Sequence, residues 1–461
     1  MRKISTFLLL IILFITACGG SAIEPALPTR SATAVPIAQQ PTPTLANTPT
    51  PLPAPTDTAV PTDTPVPTAT AVPTAVPTAT PTTTPIPPTA TPAPDTAALQ
   101  QELQDLAFNA LPTPTSGNAF DTFTAITAFP LSDNLWAAYT TGLRSFDPLQ
   151  NHFIAIYTRQ NDTWQELSRL ELESPDYMFE GGVERVELGD GRYWFQVNSG
   201  VGAHGNCYDL ARYDGVTFTQ VLDHCTSSLA SEGVQDINGD GNPDLVLNFT
   251  VDYVFCYACS VRLPIFQVLT FDGSDFVEVN LSPAPADLPA DVLAANDEAI
   301  NDANFGLWQD AEMLINGIQS DNPTVNWNRT IINLHATALR QGIERAIYPL
   351  LEYLFYGDYA ATLDVLRPFP PDQLFATADT NPLIAGTVAE GWTDAVVEYV
   401  TTYTNEALAA KPDLAAAYFL RGWVQYLVTP GGTPAAQDDI TTARTLDPNE
   451  PLYQLAISNE Q

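Results

Sequence analysis

Apolar and polar positions follow four different rules along the chain. From Phe7 to Ile15 every position is apolar, and from about Ser21 to Asp95 there is no period at all. Between about Ala119 and Leu281 the pattern is strand-like, with alternating or aromatic-rich runs such as Trp136 to Tyr139, Phe153 to Tyr157, Tyr193 to Val197 and Asp244 to Phe249. After Ser282-Pro283-Ala284-Pro285 the spacing changes to three and four residues, as in Asp291 to Asn301, Thr324 to Ile343 and Asp394 to Ala410. These changes predict an α+β multidomain chain: a signal segment over 1–17, a disordered Pro/Thr-rich stalk over 18–95 and a short helix and linker over 96–118. A β-rich domain over 119–285 and an α-helical domain over 286–461 follow.

The first apolar run is preceded by Arg2 and Lys3 and followed by small residues, which is the layout of an export signal. At about nine residues it is too short for a spanning helix, which needs roughly 20. Ile15-Thr16-Ala17-Cys18-Gly19 resembles the lipobox of bacterial lipoproteins. That resemblance implies cleavage before Cys18, lipidation of its thiol and acylation of the new N-terminus, hence an exported chain anchored to a membrane through lipid. Several acyl chains on one residue would hold a membrane durably, since each buried methylene adds about 0.8 kcal/mol.

The stalk, with segments such as Pro41-Thr42-Pro43-Thr44 and Pro77-Thr78-Ala79-Thr80-Pro81, cannot bury enough apolar surface to offset the entropy of ordering. Its prolines favour extended polyproline II at about 3.1 Å per residue, a semi-stiff spacer. It would lift folded domains clear of the lipid, or serve as a plain linker. The formal net charge of -36 belongs mostly to the folded part, because the stalk carries only Glu24, Asp57, Asp63 and Asp95 against Arg30. Such acidity excludes nucleic acid as a partner and disfavours anionic lipid surfaces, while permitting cations and basic proteins.

Within the β-rich segment the same landmarks recur about every 50 to 57 positions. An acidic turn precedes an apolar strand at Ser132-Asp133-Asn134, Gly189-Asp190-Gly191 and Gly239-Asp240-Gly241. A hairpin with aromatics on both sides of its turn follows, as Tyr157 with Trp164, Tyr213 with Phe218 and Phe271 with Phe276. Three units, each a β-meander of three or four strands, are predicted. Units of this kind resemble the FG-GAP or VCBS repeats of extracellular β-propellers. A closed propeller typically needs at least four blades, so an incomplete propeller and a sandwich-like domain both remain open.

The third acidic turn is the sharpest chemical signal. Asp236, Asn238, Asp240, Asn242 and Asp244 stand at alternate positions, with Gly239 and Gly241 between them. Calcium takes six to eight oxygen ligands at about 2.3 to 2.6 Å. The stretch resembles the start of an EF-hand loop or the calcium loop of FG-GAP repeats, although Leu247 replaces the glutamate of the twelfth position. A structural calcium ion is expected here, the alternative being an Asx/Gly turn whose aspartates cap backbone amides.

Cys207, Cys225, Cys256 and Cys259 all fall in this domain. An even number in an exported chain favours disulfides, with Cys207–Cys225 and Cys256–Cys259 preferred because each closes a local loop. A zinc site with His204 and His224, or redox chemistry at Cys256-Tyr257-Ala258-Cys259, are the alternatives.

Near the end, Ala415 to Leu427, a Gly431-Gly432 turn and Thr433 to Leu446 form a helical pair of which Gly422, Ala436, Ile440, Ala443 and Pro448 resemble the packing positions of a tetratricopeptide repeat. Gln425 stands where that family usually has an aromatic. Gly357-Asp358-Tyr359-Ala360-Ala361 through Leu366 looks like part of a second, more degenerate repeat. The resemblance implies a short solenoid presenting a surface to a protein or peptide partner; otherwise the helices merely support the β-domain.

Nucleophile-elbow, phosphate-loop, HExxH and dinucleotide fingerprints are missing, and histidine is scarce. The expected function is therefore non-enzymatic: a surface-displayed binding or scaffolding lipoprotein. The alternative is a secreted carboxylate-dependent hydrolase or carbohydrate-acting module, which needs two carboxylates converging in one pocket about 5 to 9.5 Å apart.

Overall fold

A computed structural model describes residues 96–111, 125–146, 149–227, 232–256, 259 and 261–455. Cys18, the signal segment, the stalk and the linker after residue 111 lie outside the described residues. The described part is α+β: antiparallel meanders come first and helices follow. Among the described residues no helix is long and apolar enough to cross a membrane.

Helix α1 spans Thr96–Asn109. The first meander runs β1 (Ala125–Ser132), β2 (Leu135–Leu143), β5 (His152–Gln160) and β6 (Thr163–Leu172), with a small ribbon of β3 (Ser145–Phe146) and β4 (Leu149–Gln150) inserted. The second runs β7 (Tyr177–Val186), β8 (Tyr193–Val201), β9 (Gly205–Tyr213) and β10 (Phe218–Thr226). The third runs β11 (Val234–Gln235), β12 (Asp244–Asn248), β13 (Phe266–Phe271) and β14 (Phe276–Val279). Pairing of Gly142 with Met178 and Leu143 with Tyr177 joins the first two meanders into one eight-stranded sheet, while the third is a separate sheet.

In every meander the acidic turn links the first two strands and the aromatic hairpin links the last two. At the first hairpin Asn161 and Asp162 take φ of 48° and 61°, as the tight two-residue turn demands. The hairpin aromatics set how the layers stack. Tyr157 and Trp164 pack with Leu103 and Ala107 of α1. Tyr213 and Phe218 pack on Tyr139, Ile154 and Ile156 of the first meander, and Phe271 and Phe276 pack on Trp194, Tyr208 and Leu210 of the second. Each unit thus turns the same face toward the layer before it. This buries both faces of the central sheets, and it explains why β2 and β5 are apolar on both sides.

The helices are α2 (Ala290–Asn304), α3 (Trp308–Gly317), α4 (Pro323–Ile343), α5 (Pro349–Tyr356), α6 (Tyr359–Leu366), α7 (Pro371–Leu374), α8 (Thr393–Ala410), α9 (Ala415–Val424), α10 (Pro434–Leu446) and α11 (Pro451–Gln454). Helix α4 starts where Asn322 accepts from the Thr324 and Val325 amides ahead of Pro323. It buries Val325, Ile332, His335, Ala336 and Leu339 at helical spacing. Helices α9 and α10 meet at Gly422, where a Cβ would stand 2.6 Å from the Ala436 carbonyl oxygen and 2.9 Å from Ile440. Only glycine permits that approach.

The step at Pro283 and Pro285 is a boundary in sequence but not in packing. Beyond its named strands, the β12/β13 hairpin continues as an arm through the Phe249 amide to Ile265 oxygen and the Val251–Leu263 bridge. Its tip residues Val254, Phe255, Cys259 and Val261 belong to the same apolar cluster as Leu351, Leu354 and Phe355 of α5. The Cys256–Cys259 disulfide closes that tip, and Cys207–Cys225 bridges β9 and β10 at directly opposed positions. The preferred pairing is therefore the one present, and all four thiols are consumed in disulfides rather than held as zinc thiolates.

Candidate functional site

The arm and helix α4 enclose a cleft. Its deeper part, about 420 Å³, lies between the arm, the end of α4 and the start of α5. A shallower part, about 570 Å³, continues along α4 to Ile237 in the third acidic turn and shares Phe266, Ala338 and Gln341 with the first.

Folding dictates much of this wall. The Phe266 amide donates to His335 Nε2 at 3.4 Å, His335 Nδ1 lies 3.0 Å from the Ile331 carbonyl, and Trp308 stacks flat on the imidazole at 4.4 Å. Burial pushes the His335 pKa down, opposed by the Ile331 carbonyl, so the ring is neutral and structural. Behind the arm, the Asn248 amide donates to Glu232 Oε1 at 2.5 Å. His224 Nε2 sits 3.0 Å from the Asn248 carbonyl and 3.3 Å from the same carboxylate oxygen. Burial depresses His224, but hydrogen bonds to Glu232 and Asn248 outweigh it and leave its pKa raised.

Two carboxylates line the deeper part. Asp252 is paired with Arg262 Nε at 3.1 Å. Glu352 is only 5% exposed. Its Oε1 accepts from the Ile347 and Tyr348 amides at the head of α5, at 3.3 and 3.5 Å, whereas its Oε2 is buried without a hydrogen-bond donor. Burial raises its pKa, with the two amides acting the other way. Arg345 lines the same space, is exposed, and forms no ion pair with the described residues.

The third acidic turn stands at the other end of the cleft as a hydrogen-bonded turn. Asp236 Oδ1 accepts from the Gly239 and Asp240 amides at 2.7 and 3.1 Å, and its Oδ2 from Gly241 at 2.9 Å. Asn238 Oδ1 accepts from the Asp240 amide, and Asp240 Oδ1 from the Asn242 amide, both at 2.8 Å. Asp244 is fully buried; its Oδ2 takes the Ile237 amide and its Oδ1 has no donor. Burial raises the Asp244 pKa against the opposing hydrogen bonds of the Thr270 side chain and the Ile237 amide, and the neighbouring Asp240 and Asp236 carboxylates add to the rise. Among the described residues no three His, Cys, Asp or Glu side chains converge as a ready ligand set. The donors are right in kind for calcium, but Asp236 and Asp240 are turned toward backbone amides. In the second turn, Asp190 receives Trp194 Nε1 and the Arg192 amide, each at 3.0 Å.

Asp252, Arg345 and Glu352 were not singled out by the sequence. Glu352 does carry a signal, being the lone charge in Pro349-Leu350-Leu351-Glu352-Tyr353-Leu354-Phe355-Tyr356. Asp252 and Arg345 carry none, since an isolated charge in an acidic chain is ordinary. His152 and His335 are both buried against partners: His152 Nδ1 lies 2.9 Å from Thr140 Oγ1. No family model matches the chain, and the comparison with curated proteins finds no significant match.

Proposed function

We propose that the chain is an exported lipoprotein, tethered through Cys18 and displayed by its stalk, whose helical region binds a protein or peptide partner. The observation that carries this is the Gly422 contact between α9 and α10, with Ala436, Ile440 and Ala443 buried beside it. That is the packing expected of a tetratricopeptide-like helical pair. Two disulfides fit an oxidising compartment. The same-face stacking of the three meanders supports a propeller-like arrangement ended by helices instead of a fourth blade. A charge of -36 selects a basic partner. Affinity capture from intact cells tests this: a basic envelope or extracellular protein is expected, released at high salt and weakened by Glu398→Lys with Asp438→Lys on the exposed helix faces. Recovery of no partner under several conditions overturns it.

Calcium at Asp236, Asn238, Asp240, Asn242 and Asp244 belongs to the same proposal as a structural staple. What supports it is the clustering of the Asp236, Asp240 and Asp244 carboxylates in one turn, close enough for the first two to raise the pKa of the third. The expected result is a lower thermal midpoint in EDTA than in calcium, with binding at a hundredfold Kd adding about 2.7 kcal/mol. Asp236→Ala should abolish the difference. Equal midpoints would leave the turn as a hydrogen-bonded turn alone.

One observation favours a hydrolase as a second reading: Asp252 and Glu352 line a single pocket. Hydrolysis of glycosides or peptides by the protein, lost in Glu352→Gln, would establish it.

A further inference from the structure

The second meander and the arm meet at one histidine. Asn248 is the last residue of β12, where the strand becomes the arm, and its amide donates to Glu232 Oε1 at 2.5 Å. From β10, His224 Nε2 reaches the Asn248 carbonyl at 3.0 Å and that same carboxylate oxygen at 3.3 Å. The side chains of His224 and Glu232 are only 9% and 2% exposed. A carboxylate this deep is costly unless a positive charge offsets it, and among the described residues His224 is the one basic side chain that pairs with Glu232. A neutral imidazole can still donate to one of the two acceptors, but only the imidazolium also balances the charge. The groups around the ring can be named. Glu232 comes from the segment ahead of β11, the Asn248 carbonyl and the Phe249 ring, at 4.3 Å, from the arm, and Asp223 from β10 itself. Tyr208 stands opposite on β9, its phenol held neutral by burial. Burial opposes a proton on His224, while hydrogen bonds to Glu232 and Asn248 and the charges of Glu232 and Asp223 favour it and prevail.

We propose that His224, Glu232 and Asn248 form a pH-operated clasp at the base of the arm, closed while His224 carries its proton and loosened when the proton leaves. The sign follows from linkage: a histidine whose folded pKa is raised stabilises fully below the unfolded value of 6.5 and loses that contribution as pH climbs through the folded value. Loss of the proton leaves the Glu232 charge buried and unbalanced, and the arm base lifts to admit water to it. Asn248, Thr250 and Asp252 of the arm form one wall of the deeper cleft, so the clasp sets how firmly that wall is held. The clasp is independent of partner binding by the helices, so either idea stands if the other falls.

Two measurements on the full-length chain test this. The chain has four histidines, so in a nuclear magnetic resonance titration of the imidazole C–H signals His224 is the one lost in His224→Gln. Its midpoint is expected above 6.5 and should fall in Glu232→Gln; a midpoint at or below 6.5 in the wild-type protein overturns the proposal. Hydrogen exchange of the arm, read at the Phe249, Val251 and Leu263 amides that hold it together and corrected for the chemical exchange rate, should quicken by about threefold or more between pH 6 and pH 8.5. Asp209 on β9, which burial raises to about 7, titrates in the same window and in the same direction, so His224→Gln is the control. That variant keeps a donor for the Asn248 carbonyl but no charge, and its arm should exchange at a rate that changes less with pH than in the wild type. An equal change in wild type and variant would assign the effect to Asp209 and overturn the clasp, and so would an arm whose exchange in the wild type does not respond to pH.

Discussion

Lys411→Met is expected to lower the stability of the folded region by about 3–5 kcal/mol, the usual loss when one partner of a buried ion pair is removed. Lys411 follows α8, and its ammonium lies 2.9 Å from Asp302 at the end of α2 and 2.5 Å from Asp310 in α3. Asp302 is 1% exposed, so without the lysine its charge would be stranded. Burial already raises the Asp302 pKa, with Lys411 opposing that rise. The sign follows from linkage: a carboxylate whose folded pKa is raised destabilises the fold as pH climbs from the unfolded value through the folded one, and costs nothing below both. Removing Lys411 raises the folded value further. The penalty measured by urea unfolding should therefore be larger at pH 7 than at pH 5, and Asp302→Asn should recover most of it. A pH-independent penalty, or no rescue by the second substitution, would show that packing of the lysine stem rather than its charge holds the three helices.

The β region was legible because its landmarks are local. An acidic turn and an aromatic hairpin are each fixed by a few neighbouring residues, and both recur, so three meanders could be placed before their sheets were known. The Cys207–Cys225 pairing was preferred only because it closes a local loop; the structure adds the reason it forms, since the β9/β10 hairpin sets those residues directly opposite one another. The Gly422, Ala436, Ile440 and Ala443 pattern was legible too, because close helix packing needs small residues at fixed spacing.

The junction was not legible. Nothing in Val254-Phe255-Cys256 indicates that the tip of a β-hairpin will sit among α5 residues about a hundred positions away; that depends on summed apolar burial across the whole core. For the same reason Asp252, Arg345 and Glu352 come together only in the fold. The aspartates of the third turn illustrate the converse. Their alternate spacing is plain in the sequence, yet spacing alone does not decide whether carboxylates face a cation or the backbone amides, because both arrangements satisfy the same oxygens.

Trp194→Ala should cost about 3–5 kcal/mol and loosen the second meander from the third. The indole is fully buried and meets Phe271 and Phe276 edge-on at 5.8 and 6.1 Å. Arg212 lies over it at 5.2 Å, and its Nε1 donates to Asp190 in the preceding acidic turn. One side chain therefore ties an acidic turn to the hairpin aromatics of the following unit. Truncation leaves a cavity between two sheets and takes away the donor to Asp190, two losses that a helix cannot move in to relieve. Guanidinium unfolding followed by near-ultraviolet circular dichroism would measure it, and Trp194→Phe should retain most of the apolar burial while losing the bond to Asp190. If alanine and phenylalanine proved equally costly, the hydrogen bond would be the dominant link between layers; if neither mattered, the stacking of meander upon meander would not be what holds the β region together.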